Sequence, residues 1–231
     1  MLTLEIREIL SETPRARIVR LDLARQPFEY TAGQAVLVCG HGGSERHPYS
    51  IAASPEDARR ALCLELLIGV DAHGAPGPHL TLKRGAAVDV EGPFGSFVFP
   101  SAPGERRFVF IAGGTGIAPL RAMLHHALEI PHDEIGLFYS ARTPDEFAYE
   151  SEFRALARQG RIELRQTVTR GADGGWSGAR GRISRAELAL LVHDAATLCF
   201  VCGPQALVTE MSALLPELGV SSSRIRVERW G

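Results

Sequence analysis

The sequence predicts a two-domain β + α/β protein, in which a series of short antiparallel strands is followed by a parallel sheet covered by helices. Two observations carry this expectation. Up to about residue 102 the chain consists of short β-like runs separated by Gly and Pro, and from Arg107 onward apolar strands alternate with helical stretches. The length agrees, because 231 residues suit two domains of about 100 to 130 residues better than one.

In the first half the runs are RIVRLDL (17–23), QAVLVC (34–39), YSIAA (49–53), LCLELLI (62–68) and VDVEG (88–92). Many short strands at this spacing imply an antiparallel barrel or sandwich. The boundary is expected near SAPGERR (101–107), where Pro and Gly meet charge, giving domains 1–102 and 103–231. Beyond it FVFIAGG, EIGLFYSA, RIELRQTV and TLCFVCGP read as buried strands, with helices expected at Pro119–Ile130, Asp145–Gln159, Arg185–Val192 and Gln205–Leu218. Strand and helix in turn imply a parallel sheet covered on both faces. Thr143-Pro144-Asp145-Glu146 offers an N-cap, a first-position proline and an acidic first turn, and Ser184 with Glu187 has capping-box spacing.

Composition excludes several classes of function. A net charge of -2, with Arg and Lys scattered along the chain, gives no general attraction to nucleic acid. The N-terminal MLTLEIREIL has charges within its apolar stretch and no basic flank, so it does not read as a signal peptide. No apolar run approaches the roughly 20 residues that span a bilayer, and a cytoplasmic protein is expected. Four cysteines, Cys39, Cys63, Cys199 and Cys202, do not make a secreted disulfide scaffold in a chain this long. Cys199 and Cys202 form a C-x-x-C, but residues three apart on a strand point to opposite faces, so neither a shared metal nor a disulfide is expected. His41, His47 and His79 are scattered over loops, and no metal site is assigned to them.

The sharpest local signal is FVFIAGGTGIAPLRAML (108–124), where an apolar strand runs into Gly113-Gly114-Thr115-Gly116 and then a helix. Glycines let the backbone turn tightly and approach a pyrophosphate, while the helix start supplies free N–H groups. Pro119 takes the place of the third fingerprint glycine. The acidic residue expected about 20 positions on, for an NAD ribose, is missing. The next strand ends Tyr139-Ser140-Ala141-Arg142, and Arg142 is a candidate for a 2′-phosphate.

Five motifs, in order along almost the whole chain, resemble those of the ferredoxin–NADP reductase superfamily of flavin-dependent NAD(P)H oxidoreductases. His47-Pro48-Tyr49-Ser50-Ile51 resembles its R-x-Y-S flavin motif, Gly92-Pro93-Phe94-Gly95-Ser96-Phe97 its G-P-x-G-x-F, and Gly113 to Pro119 its G-G-T-G-I-A-P. Trp176-Ser177-Gly178 with Gly181-Arg182-Ile183 resembles a connector, and Cys202-Gly203-Pro204 the C-G-P motif. Beyond these five, Val227-Glu228-Arg229-Trp230 also resembles a family ending with an acidic residue and a final aromatic.

The resemblance implies a flavin-binding β-barrel followed by an NAD(P)-binding domain. Catalytic roles fall to Ser50, near the flavin N5, and to Cys202 and Glu228 beside the nicotinamide. Tyr49 packs on the isoalloxazine, and Arg46, His47 and Pro48 complete that motif. Gly77, His79 and Leu80 stand in the second phosphate-binding segment. Gly113, Gly114, Thr115, Gly116 and Pro119 hold the dinucleotide with Arg142, Cys202, Gly203 and Pro204, and Trp230 covers the flavin ring.

Two departures bear on the flavin. The motif arginine is replaced by His47, with Arg46 one place earlier, and Gly74-Ala75-Pro76-Gly77-Pro78-His79-Leu80 lacks the usual Ser or Thr, leaving the backbone N–H groups of Gly77 and His79. The implied cofactor is FAD in preference to FMN, with NADPH or NADH as substrate. The implied activity is hydride transfer to flavin and electron delivery to a separate acceptor, a ferredoxin, a flavodoxin or a partner oxygenase component. The rival expectation is a non-catalytic or accessory flavin- or nucleotide-binding subunit of a larger redox complex.

Overall fold

The computed structural model describes residues 1–24, 26–170 and 175–230. The chain divides into two compact units: Met1–Phe99 with Arg121–His126, and Pro100–Leu120 with the chain from Ala127 onward. Among the described residues no helix is long and apolar enough to cross a membrane.

The first unit contains β1 (Leu2–Thr13), β2 (Ala16–Asp22), β3 (Ala35–Gly40), β4 (His47–Ser50), α1 (Pro55–Ala61), β5 (Cys63–Gly69) and β6 (Ala87–Phe94). Its strands form one antiparallel sheet in the order β4-β3-β6-β1-β2-β5. The two ends of this sheet meet. Ile51 bridges Leu66 and the Ala52 N–H donates to the Glu65 carbonyl at 2.8 Å, so the sheet closes on itself as a barrel. Inward-facing Leu4, Ile6, Val19, Leu21, Val36, Val38, Leu64, Leu66, Val88 and Val90 fill it.

β1 was not among the strands expected from sequence. Its Leu4 and Ile6 are buried and alternate with exposed Thr3 and Glu5, which is the period of a strand with one face in the core. The helix α1 was also unexpected. Ser54 accepts a hydrogen bond from the Asp57 N–H, Pro55 opens the first turn, and the helix ends at Leu62 in the left-handed region (φ 53°).

A charged group lies within this unit's interior. Glu65 is 5% exposed and pairs with Arg121 at 3.0 Å and with Arg20 at 2.7 Å, while Arg121 also donates to the Ala52 carbonyl. A buried carboxylate is tolerated only when paired and hydrogen-bonded in this way.

The second unit runs β7 (Arg107–Gly113), α2 (Ile117–Ala127), β8 (Glu134–Ala141), α3 (Glu150–Arg158), β9 (Glu163–Val168), β10 (Ala179–Arg180), α4 (Arg185–Leu188), β11 (Leu198–Gly203), α5 (Gln205–Glu217) and β12 (Ile225–Arg229). Within it Arg121–His126 of α2 belongs to the first unit. The strands are all parallel, in the order β10-β9-β8-β7-β11-β12. β11 is buried along its whole length, as are the middle residues of β7 and β8, the continuous apolar signature of strands covered on both faces. From β7 the chain proceeds outward to β8, β9 and β10, then returns to the other side for β11 and β12. The order therefore reverses between β7 and β11, and open α/β sheets bind ligands at the carboxyl end of such a reversal.

Three helix expectations need correction. The helix expected from Pro119 begins at Ile117 and ends at Ala127. The one expected over Asp145–Gln159 is cut in two: Pro144–Glu146 is a single 3₁₀ turn, the Thr143 side chain makes no cap bond, and α3 starts only after Tyr149 at φ 59°. Phe147, Ala148 and Tyr149 between them are buried, so packing overrides the local start signal. The helix expected to reach Val192 stops at Leu188, with the Ser184–Glu187 capping box formed.

Candidate functional site

In the first unit β4 places His47 and Tyr49 on one face and Pro48 and Ser50 on the other, since side chains alternate along a strand. Pairing with β3 fixes this register, Val36 opposite Tyr49 and Val38 opposite His47. Tyr49 packs against the barrel core, and burial pushes its hydroxyl up to about 12, so it stays a donor at neutral pH. Ser50 is 6% exposed and its Oγ has no hydrogen-bond partner among the described residues. A buried hydroxyl left unpaired costs free energy, and its spare capacity fits a group that arrives with a ligand.

The segment 74–80 brings a second imidazole to this face. The His79 ring stacks on His47 with centroids 3.7 Å apart and planes at 21°, and its Nε2 lies 2.7 Å from the Tyr49 hydroxyl. Its Nδ1 is buried without a partner among the described residues, and burial, then the neighbouring His47, lower its affinity for a proton. Gly77 makes this approach possible: at φ +120° a Cβ there would sit 3.2 Å from His79 Nδ1. Leu80 is a core residue of the barrel at 4% exposure.

Arg46 and His47 turn to different partners. The Arg46 guanidinium turns toward Glu91, at 3.7 Å, and the Met1 sulfur, whereas His47 Nε2 lies 2.9 Å from Glu45. The sequence reading missed Glu45 and the side-chain role of His79. Both pair through loops, where no periodicity signals who meets whom.

In the second unit the glycine turn follows β7 directly. Gly113 closes the strand, Gly114 takes φ +55°, and Thr115 stands exposed. Gly116 lies so close to β11 that a Cβ would meet the Cys202 carbonyl oxygen at 2.5 Å, and one at Gly113 would meet Leu207 and Pro204 below 3 Å. Glycine is therefore required for the turn to lie against β11. Tyr139, fully buried, donates its hydroxyl to the Gly114 carbonyl at 3.1 Å and fixes the turn from beneath. Pro119 lies buried in the first turn of α2.

Across the reversal, β11 ends at Cys202-Gly203 with Pro204 starting the turn into α5. Register sets Cys202 opposite Glu228 of β12. Their side chains approach at 3.9 Å, and the Trp230 indole N–H donates to the same carboxylate oxygen at 2.7 Å. Burial raises the Glu228 carboxyl, with the Trp230 and Cys202 hydrogen bonds opposing, and burial with the nearby carboxylate raises the Cys202 thiol. The thiol stays protonated at neutral pH and offers a weak donor, not a nucleophile. All four cysteines are free and buried.

Arg142 follows β8 and is exposed. The N–H of Arg170, beyond β9, donates to the Arg142 carbonyl at 2.7 Å, which sets the two arginines side by side at the carboxyl ends of adjacent strands. Neither guanidinium pairs with a carboxylate among the described residues. Arg170 escaped the sequence reading, although its place just past a predicted strand end was the available signal. Trp176 of the connector is structural: it stacks on Phe147 and donates to the Ala179 carbonyl.

A family model for the oxidoreductase NAD-binding domain matches residues 110–213. Ferredoxin–NADP reductase B of Sorangium cellulosum is 33% identical over 216 residues, spanning 88% of this chain and 86% of that protein. The chain belongs to the ferredoxin–NADP reductase superfamily. This reductase is also 24% identical, over 98% of its length and 66% of the relative's, to the carnitine monooxygenase reductase subunit of Escherichia coli. A ferredoxin–NADP reductase of Neisseria gonorrhoeae with bound FAD and NADP shares the fold, with a TM-score of 0.80 at 18% identity, covering 99% of this chain and 98% of that one. The reductase is a ferredoxin–NADP reductase-like oxidoreductase of a family that binds FAD and NAD(P).

Proposed function

We propose that the reductase takes hydride from a nicotinamide nucleotide and delivers electrons to a separate protein acceptor, with FAD as its resident cofactor. The single observation that carries this is the Cys202–Glu228–Trp230 cluster at the strand-order reversal, beside the Gly113–Gly116 turn. That is where an α/β sheet receives a dinucleotide, and the cluster supplies a polarisable thiol, a carboxyl that burial makes less acidic and an aromatic face.

In this reading residues 1–102 hold the flavin and 103–231 the nucleotide. Bound FAD supplies a ring that accepts hydride and gives up electrons, chemistry no side chain here performs. The protein binds and orients. The apolar face of Tyr49 supports the ring, and Ser50, at the end of the same strand, has a hydroxyl without a partner among the described residues to offer the ligand. The free N–H groups of the Gly114–Gly116 turn hold a pyrophosphate, and Glu228 keeps a hydrogen-bond acceptor near the nicotinamide. Arg142 and Arg170, neither paired with a carboxylate among the described residues, form a cationic rim suited to a 2′-phosphate, which favours NADPH. The named relatives, a ferredoxin reductase and a monooxygenase reductase subunit, support an acceptor that is a separate redox protein.

The test is the visible spectrum of protein reconstituted with FAD, recorded anaerobically before and after NADPH or NADH. A bound flavin spectrum bleached by nucleotide is expected. Protein that binds no flavin, or flavin that neither nucleotide bleaches, overturns the reading.

A further inference from the structure

Tyr139 stands at the centre of a chain of contacts inside the second unit. Its hydroxyl accepts from the Ala148 N–H at 3.1 Å and donates to the Gly114 carbonyl at 3.1 Å, so the direction of its one proton is settled. Its ring meets Phe147 edge-on, with centroids 5.0 Å apart and planes at 75°, and Phe147 stacks on Trp176 at 5.4 Å and 29°. The Trp-Ser-Gly motif holds Trp176 there. The indole folds back over Gly178, where a Cβ would meet its ring at 2.5 Å, and its N–H donates to the Ala179 carbonyl at 2.9 Å. The connector is tied to β9 as well: the Gly181 N–H donates to the Val168 carbonyl and the Thr167 hydroxyl to the Gly181 carbonyl, both at 2.8 Å.

The other end of the chain is the glycine turn. A trans peptide group is planar, and its C=O and N–H point in opposite directions. The Gly114 carbonyl, drawn onto the buried Tyr139 hydroxyl, therefore aims the N–H of Thr115, which shares its peptide group, away from Tyr139. The Ile117 N–H also bonds this carbonyl, so both of its lone pairs are used and the peptide has little freedom to rotate.

We infer that Trp176 is a positioning residue for the dinucleotide: through Phe147 and Tyr139 it fixes the Gly114 peptide, and with it the Thr115 N–H that meets the pyrophosphate. The inference rests on the reading above, in which the Gly113–Gly116 turn holds that pyrophosphate. Trp176 presses Phe147 onto Tyr139, and a buried ring so confined keeps its hydroxyl within reach of Gly114. The pyrophosphate is a non-reacting part of the nucleotide, so a loosened peptide costs binding equally before and during hydride transfer. Nucleotide KM then rises while kcat holds.

The experiment is calorimetric titration of NADP and NADPH into the full chain, with thermal melting and steady-state kinetics alongside. Tyr139→Phe keeps the ring and removes the hydroxyl, and should weaken binding on the order of tenfold. Trp176→Leu removes the stacked ring and should weaken binding several-fold, with KM raised and kcat unchanged. The double variant should bind no more weakly than Tyr139→Phe alone, because both changes break one chain. Phe153→Leu is the control. Phe153 also meets Tyr139 edge-on, at 6.4 Å, but lies off the path to Trp176, so its loss should lower the melting temperature and leave nucleotide affinity at the wild-type level. Unchanged affinity in Tyr139→Phe or in Trp176→Leu, losses that simply add in the double variant, or an equal loss of affinity in Phe153→Leu overturns the positioning role and leaves the reductase reading standing. Failure of the wild type to bind NADP, NADPH or NADH overturns both.

Discussion

Trp230 holds Glu228 by a hydrogen bond of 2.7 Å from its indole N–H, while its own backbone N–H is tied to the Gly203 carbonyl at 3.1 Å. The aromatic side chain and the acid it restrains are thus one unit with the end of β11. Burial raises the Glu228 carboxyl and the indole opposes that rise. Trp230→Phe removes the donor, so the carboxyl should move further up. A group whose folded pKa lies above its unfolded value adds stability below the unfolded value and loses it as pH rises through the folded one. The variant should therefore match the wild type near pH 4.5 and be less stable by about 1–2 kcal/mol at pH 8, allowing for partial exposure. Urea unfolding at the two pH values measures this, and equal deficits at both would contradict it.

Glu65→Ala should be far more damaging than its single charge suggests. It strands Arg121, 9% exposed, without its carboxylate, and removing one partner of a buried pair costs about 3–5 kcal/mol. The double variant Glu65→Gln, Arg121→Met leaves no unpaired charge and should recover much of the loss. A double-mutant cycle in urea tests the coupling, and simple additivity would refute it.

Two neighbouring glycines should respond differently to alanine. At Gly116 a Cβ meets the Cys202 carbonyl oxygen at 2.5 Å, whereas at Gly114 it meets nothing within 4 Å but must adopt φ +55°. Gly114→Ala should cost only the strain of a left-handed residue, about 1 kcal/mol. Gly116→Ala must push the turn off β11, and should weaken nucleotide binding on the order of tenfold or more by displacing its donors. Calorimetric titration with NADPH and NADP separates the two. Similar affinities in both variants would contradict the assigned contact.

Arg142→Ala and Arg170→Ala should each reduce NADPH affinity while sparing NADH. A hydrogen bond to a charged group is worth about 1.5–3 kcal/mol, so a selectivity change of roughly 10- to 100-fold is expected. Steady-state kcat/KM for the two nucleotides reads it directly. Equal losses for both would remove the arginines from the 2′-phosphate role.

The division into a β half and an alternating α/β half was legible because each leaves a distinct period and distinct punctuation. β1 is less plain: Leu2, Leu4 and Ile6 alternate as on a strand with one buried face, but the interleaved charges break up the apolar run by which the other strands declare themselves. The break at Tyr149 was not legible: the Thr143–Glu146 start signal is sound locally, and burial of Phe147 and Tyr149 overrules it. At the site, the glycine turn declared itself through Gly113–Gly116. The pairing of Cys202 with Glu228 depends on β11 and β12 being neighbours, which no local pattern encodes. The same holds for His47 with His79 and for Glu65 with Arg121.

The barrel's closure has a consequence for how the chain behaves when it fails. The seam consists of the Ile51–Leu66 bridge and the Ala52 N–H to Glu65 carbonyl bond, on the backbone of the same Glu65 that Arg121 holds. Were the seam to part, β4 and β5 would become free edges of an open sheet. β4 is four residues long and carries Pro48, a poor template for a second strand. β5 reads CLELLIG, with Glu65 as its one charge, and an exposed apolar edge of that kind recruits other chains. Glu65 is then a gatekeeper against aggregation, and variants that weaken it should be lost as insoluble protein in the cell before loss of activity can be measured.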